Sequence, residues 1–367
     1  MKGKIKQGSH TPLETEYRKI SALNQSMIKV FAEDPAIFYR EFILGEKREE
    51  KSSNALIIGQ LVDFALLDCG GDEQLFEQRI GEKFAVFDGV KSSAQAFSLA
   101  DELYKITLRD RDENGMVTSE FANRFIEAFA IVQGQGMYKG GKTWEKGLED
   151  FNKVAKEYFD KKVENIGKTV VDLWQIEKTK NIVSQARGDE FHGSLVNMET
   201  GGDVEVIEKL AIEFNVQGWD CKMEQDKTII HHKHKIIRRI DYKTAYDNED
   251  FEYSYLKRKY YLQNAFYHTG TEMWAIANNM DGYDVLPMEF LVFDTSVNNR
   301  RPLKYNTVMQ HVEEGLAGFT RNGRKYKGVI DLMDEITWAN ENGIWNISKE
   351  NHLNRGEIEM APYEEDE

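Results

Sequence analysis

The run IDYKTA (240–245) places a carboxylate and an ammonium two positions apart, at Asp241 and Lys243. On an extended strand side chains alternate between faces, so these two share one side and Tyr242 turns to the other. In such a pair the carboxylate can hold a divalent cation. The lysine can orient or deprotonate a water, or offset charge developing on a phosphate. Exposed strands also alternate charges, so the triplet needs support from its surroundings. That support lies upstream, where Glu213 and Asp226 fall on two preceding strand-like runs and three carboxylates are expected to converge. Such oxygen donors suit Mg²⁺, with Mn²⁺ expected to substitute, because Mg²⁺ binds through a few carboxylates and keeps several waters. Asp220 and Glu224 alternate with Asp226 and are the reserve ligands. His231, His232 and His234 cluster between Asp226 and Asp241, where they read as surface or phosphate-facing hairpin residues.

These residues need strands to carry them. From about Val204 the pattern is β-rich, with turn signals at Gln217-Gly218 and Asp226-Lys227, which predicts three antiparallel strands. FEYSYLKRKYYLQNAFYHTGTEMWAIAN then has helical spacing, and LPMEFLVFDTS reads as a buried strand. The expected order is strand, strand, strand, helix, strand. Nearer the N-terminus a helix starts near Ser26 and is interrupted at Pro35. SSNALIIGQLVDFALLD (52–68) reads as a serine-capped helix, buried on most sides and apolar but for Asp63. Residues 72–195 keep helical spacing, with a glycine-rich break at 134–141. The expected divisions are an N-terminal helical entry (1–50), a core helix with Asp63 (51–71), a mainly helical insertion (72–203), a strand-bearing core (204–345) and an acidic tail (346–367).

Composition sets the class. With 367 residues and 41% apolar content the chain can bury an ordinary core. No apolar run approaches the roughly 20 residues of a membrane span, and MKGKIKQGSH has no apolar secretory region behind it, so no membrane partner and a cytoplasmic location are expected. The two cysteines, Cys69 and Cys221, are too few for a thiolate zinc site or an iron–sulfur cluster. A net charge of −15 argues against a protein that coats polyanions in general. Basic residues nevertheless gather at 231–239, 256–259 (with Arg258), 298–304 and 321–327, which suggests a local nucleic-acid track.

From Glu213 to Tyr267 the chain resembles the nuclease core of the PD-(D/E)XK superfamily, most closely its RecE-type (exonuclease VIII) and phage lambda-exonuclease-like branch. GWDCKMEQD (218–226) matches a G-x-x-C-K-x-x-x-D strand ending at Asp226, with Gln225 where the superfamily has proline. Asp241-Tyr242-Lys243 matches the D-x-K strand, and Gln263 and Tyr267 match a Q-x-x-x-Y helix whose two side chains share a face. Upstream, NQSMIKVFAEDPAIF and GQLVD (59–63) take the places of the family's serine-containing segment and its G-x-x-x-H helix, with Asp63 where the family has histidine.

The resemblance implies an α/β (α+β) fold: a restriction-endonuclease-like core with a central mixed β-sheet flanked by helices, carrying a large helical insertion. It implies metal ligation by Asp63, Asp226, Asp241 and the Tyr242 carbonyl, help from Glu213, water positioning by Lys243, and DNA contact or strand bracing by Gln263 and Tyr267. It further implies a Mg²⁺-dependent deoxyribonuclease, a processive 5′-to-3′ exonuclease on linear duplex DNA. Such an enzyme would feed a single-strand annealing partner in phage or prophage recombination, in the host cytoplasm and as a homo-oligomer. The alternatives are an endonuclease of the same superfamily, or a DNA-binding phage protein that keeps the fold without turnover. Relatives in CRISPR adaptation usually hold a cluster through four cysteines, and this chain has two.

Overall fold

Asn24 accepts a hydrogen bond from the Met27 N–H at 3.0 Å, and this cap starts α1 (Gln25–Glu33). Asp34 caps the next turn, Pro35–Phe38, with proline at its first position, so the expected break at Pro35 is present. The computed structural model describes residues 21–46 and 53–357; Ser52, expected to cap the next helix, lies outside them. The chain forms two compact units, one made of residues 1–55 and 184–367, the other of residues 56–183.

The second unit takes in α2 (Asn54–Asp63), a π-helical turn (Phe64–Asp68), α3 (Glu73–Lys83), β1 (Phe84–Phe87), α4 (Ala94–Arg109) and α5 (Phe121–Gly134). It continues through α6 (Trp144–Val154), α7 (Lys156–Glu164), β2 (Thr169–Asp172) and α8 (Leu173–Gly188), whose last residues run beyond the unit. Helices dominate, as the spacing predicts, and the glycine-rich segment links α5 to α6. Helical spacing missed the parallel pair β1–β2, in register from Phe84↔Thr169 to Phe87↔Asp172. FAVF and TVVD are each four residues long, too short to show alternation, and their partners lie far apart in sequence. Buried rings of Phe87, Phe97, Phe125, Phe151 and Tyr158 fill this unit's core, several of them edge to face.

In the first unit β3 (Val204–Val216) turns at Gln217 (φ 51°) and Gly218 (φ 86°) into β4 (Trp219–His231). Both turn residues have positive φ, as a type I′ hairpin turn requires. β5 (Ile236–Ala245), α9 (Phe251–Lys257), α10 (Tyr260–Ala277), β6 (Asp284–Val285), β7 (Glu289–Asp294) and β8 (Leu303–Asn306) follow. α11 (Met309–Ala317), the hairpin β9 (Phe319–Arg321) and β10 (Arg324–Tyr326), and α12 (Val329–Asn342) complete the longer elements. The main sheet has the order β3-β4-β5-β7-β8, with β6 also on β5. β5 runs parallel to β6 and β7 while the other pairs are antiparallel, so the fold is mixed α/β with a mixed central sheet.

Two boundaries differ from expectation. Asp226-Lys227 is not a turn: β4 runs through it to His231, and the hairpin is made by His232–Lys235. The long helix is broken at Arg258-Lys259, where Lys259 has φ 53°. An aspartate–lysine pair signals a turn only where no ladder claims its backbone, and here Lys227 pairs with Glu208 and Ile240.

α10 lies on one sheet face, with twelve of its eighteen residues buried, which suits a core helix rather than a half-exposed one. A Cβ on Gly270 would stand 2.7 Å from Met223 Cε and 2.9 Å from Phe214 Cε1, so glycine lets α10 approach β3 and β4 closely. Beneath α10, Arg239 Nη2 lies 3.0 Å from His268 Nδ1, and His268 Nε2 lies 3.3 Å from Glu272. Because the guanidinium only donates, Nδ1 must accept and the ring stays neutral. Burial, and then Arg239, hold His268 down to about 4. The unfolded chain therefore binds an extra proton between about pH 6.5 and 4, and stability is lost as pH falls through that window. Unfolding free energies of the wild type, from urea titrations, should fall there by up to about 3 kcal/mol more than those of His268→Leu; parallel pH profiles would contradict this.

Candidate metal and phosphate site

β4 and β5 are paired from His231↔Ile236 to Lys227↔Ile240, and the ladder stops there. The next residues are Asp226 and Asp241. Beyond them β4 continues against β3 alone and β5 against β7, so the strands part into a fork. A local irregularity in β3 marks the same place. Lys209 has φ 52°, and the register runs Glu208↔Lys227, then Leu210↔Gln225, with no bridge between Lys209 and Asp226.

This kink reverses the faces of β4. Gln225 bonds Thr271 of α10, and Thr228, three residues on, bonds Gln225 at 2.7 Å, so both point toward α10. The alternation expected to carry Asp220 and Glu224 onto the side of Asp226 therefore fails at Asp226. The Asp226 carboxylate crosses the fork, where Oδ2 accepts the Tyr242 N–H at 2.7 Å in place of a ladder carbonyl.

On β5, Asp241 and Lys243 both face α10, as alternation predicts. Asp241 is buried, and its Oδ1 accepts from Gln263 Nε2 at 2.6 Å. Its Oδ2 meets the Lys243 ammonium in an ion pair, and Lys243 Nζ also lies 3.4 Å from the Tyr242 carbonyl oxygen. Burial works to lower the Lys243 pKa, but the carboxylates of Asp241 and then Asp226 raise it above its ordinary value. Lys243 is thus a charged ammonium seated against two oxygens.

A second lysine completes the site. Lys29 of α1 lies over the Tyr260 ring at 4.7 Å, and Lys243 lies over the same ring at 5.2 Å. Burial, and then the Lys243 ammonium, push Lys29 down to about 7 against the pull of Asp241. Lys259, beside Tyr260, pairs with Glu33 at 2.8 Å. Leu23 joins the free edge of β4, its N–H donating to the Asp220 carbonyl at 2.9 Å and its carbonyl accepting from Lys222 N at 2.7 Å, and so holds α1 beside the fork. Nothing in the spacing of Lys29 marked it: it sits between the buried Ile28 and Phe31 of an ordinary amphipathic helix.

The other expected residues lie as follows. Glu213 does not join the set. Its neighbours Ile212 and Phe214 face the core, with Phe214 against Phe266 of α10 at 4.9 Å, so Glu213 lies on the opposite sheet face, across from Lys222. Tyr267 is buried in the core one turn beyond Gln263, whereas Arg258 is exposed between α9 and α10. The Tyr242 ring packs on Phe293. Asp63 ends α2 in the second unit, half-buried. His231 ends β4, and His232 bonds Tyr283 and Glu205 at 3.2 Å each, which favours the hairpin reading over metal ligation. Several members of the basic runs serve the fold: Arg238 and Lys304 clamp Glu289, Arg300 pairs with Asp247, Arg301 with Glu190, and Lys327 with Glu335.

Among the described residues no three histidine, cysteine, aspartate or glutamate side chains form a metal-binding group. The fork offers a smaller oxygen set: two carboxylates, Asp226 and Asp241, and the Tyr242 carbonyl. Mg²⁺ commonly uses such a set because it keeps most of its waters. An ammonium already stands against two of these oxygens, so the chemistry of the donors fits a cation. The chain matches no family model, and no curated protein matches it.

Proposed function

We propose that the first unit is a metal-dependent phosphodiesterase acting on DNA. The reading rests chiefly on one observation: Asp226, Asp241 and Lys243 meet where β4 and β5 part, with Gln263 fixing Asp241. Asp226, Asp241 and the Tyr242 carbonyl would hold Mg²⁺, which when bound would polarise the scissile phosphate and lower the pKa of a water. Gln263 fixes the rotamer of Asp241, and Asp226 is fixed by the Tyr242 N–H. Lys243 orients the attacking water and offsets charge on the phosphate, while Lys29 adds a second amine against the same Tyr260 ring. Duplex exonuclease action from a 5′ end, an annealing partner and oligomeric rings belong to this proposal through the motif resemblance alone.

The test is release of labelled nucleotides from linear duplex with Mg²⁺, Mn²⁺ or EDTA. Metal-dependent release is expected, and none from the wild type with either metal would overturn the reading. Blocking the 5′ or the 3′ ends in the same assay separates the polarities, and nicking of circular DNA would favour an endonuclease. At pH 6, where the amine is charged, Lys29→Ala should weaken DNA binding roughly 3- to 30-fold in Ca²⁺ and lower the salt slope by about one. An unchanged slope would remove Lys29 from the phosphate path.

A further inference from the structure

A cavity of about 380 Å³ lies between α9, the start of α10, β7, β8, α11 and β9. Ligand clefts run from roughly 300 to 1,000 Å³, so this one has room for a single flat ring system rather than a chain of them. Its wall is aromatic: Phe251, Tyr255, Tyr261, Phe290, Tyr305 and Phe319. These rings brace one another, Phe251 on Tyr305 at 5.1 Å, Tyr255 on Phe290 at 5.7 Å and Tyr261 on Phe319 at 5.2 Å. The Tyr305 hydroxyl is anchored on the Asn248 carbonyl at 2.6 Å. The walls are therefore set before any ligand arrives.

The charges around the cavity are divided. Glu252 and Glu314 line it, so a phosphate inside would be repelled, while the amino groups of a heterocycle would find acceptors. Arg321 stands at the exposed rim on β9, and Arg324 and Lys325 follow on β10 beyond the turn at Asn322 (φ 50°) and Gly323 (φ 68°). Anions are thus favoured outside and a neutral ring inside. Behind the wall, Phe251 stacks on Tyr260 at 5.6 Å, the ring that also meets Lys29 and Lys243. Two ring thicknesses join the cavity to the lysines.

We propose that this cavity takes one unstacked nucleobase of a bound strand, whose adjoining phosphates lie on the cations of the β9–β10 hairpin. The proposal rests on the nucleic-acid reading above. Stacking on aromatic side chains tolerates any base, so the pocket recognises the presence of a base and holds the strand in register.

The test uses the full-length protein in Ca²⁺ and a series of end-labelled oligonucleotides, each with one abasic nucleotide at a successive position, read by fluorescence anisotropy. At one position loss of the base should weaken wild-type binding roughly 5- to 100-fold. Thr320→Met, which fills the mouth from an exposed strand position, and Tyr305→Leu, which removes a wall ring, should each erase that penalty. A flat scan with tight binding overturns the cavity assignment and leaves the nucleic-acid reading standing, as does a penalty that persists in both variants. Absence of binding to every oligonucleotide overturns both.

Discussion

Lys243→Met is expected to abolish measurable DNA hydrolysis, a loss on the order of 10³-fold or more, while making the protein more responsive to Mg²⁺. The two effects share one cause. In the wild type the ammonium occupies the Asp241 carboxylate and approaches the Tyr242 carbonyl. Removing it leaves Asp241 buried with Gln263 as its remaining neutral donor on Oδ1. Breaking a buried pair in this way costs about 3–5 kcal/mol. A divalent cation at the same oxygens would restore much of that, so Mg²⁺ should raise the melting temperature of Lys243→Met by several degrees more than that of the wild type. Differential scanning fluorimetry with and without Mg²⁺ reads this directly. Equal shifts for the two proteins would mean that Asp241 is not a ligand, whatever the activity.

Asp226→Asn and Asp226→Ala should separate the two tasks of that residue. An asparagine oxygen can still accept the Tyr242 N–H, so Asn keeps the closure of the fork but removes the charge. It should retain stability within about 0.5 kcal/mol while losing roughly 10²- to 10³-fold in turnover. Alanine leaves the Tyr242 N–H unbonded at the point where the strands part, and should cost a further 1–3 kcal/mol of stability. Turnover assays beside urea denaturation distinguish the two. If Asn and Ala lose stability equally, the carboxylate is not substituting for a ladder acceptor. If Asn retains full turnover, Asp226 holds no metal.

Much of the first unit was legible because its signals are local. The Gln217-Gly218 turn, the alternation of Asp241 and Lys243, and the strong helical run around Gln263 depend on residues within a few positions of each other. Features that depend on tertiary pairing were not. The face reversal at Asp226 needs Lys209 on the neighbouring strand, which is why alternation misplaced Glu224 relative to Asp226 and why Asp226-Lys227 resembled a turn. Glu213 illustrates the same limit: being on an adjacent strand does not decide which face a carboxylate takes. The β1–β2 pair was hidden by brevity, and Lys29 by having no spacing relation to the residues it approaches. Of the basic runs, the sequence reported position but not employment, since Arg238, Lys304 and Arg300 are committed to acids in the fold.

The short bridge from Leu23 to the edge of β4 also bears on the order in which the molecule can assemble. Leu23 and Lys29 leave the ribosome before the second unit, yet Cys221 and Lys243, which they approach, follow roughly 200 residues later, after that whole unit. Contacts of such long sequence separation form late, because the loop they close must be ordered first. The second unit has its own core and can fold while α1 waits. The fork therefore closes late, so the acids and lysines gathered there come together only once the second unit and the strands β3 to β5 have been made.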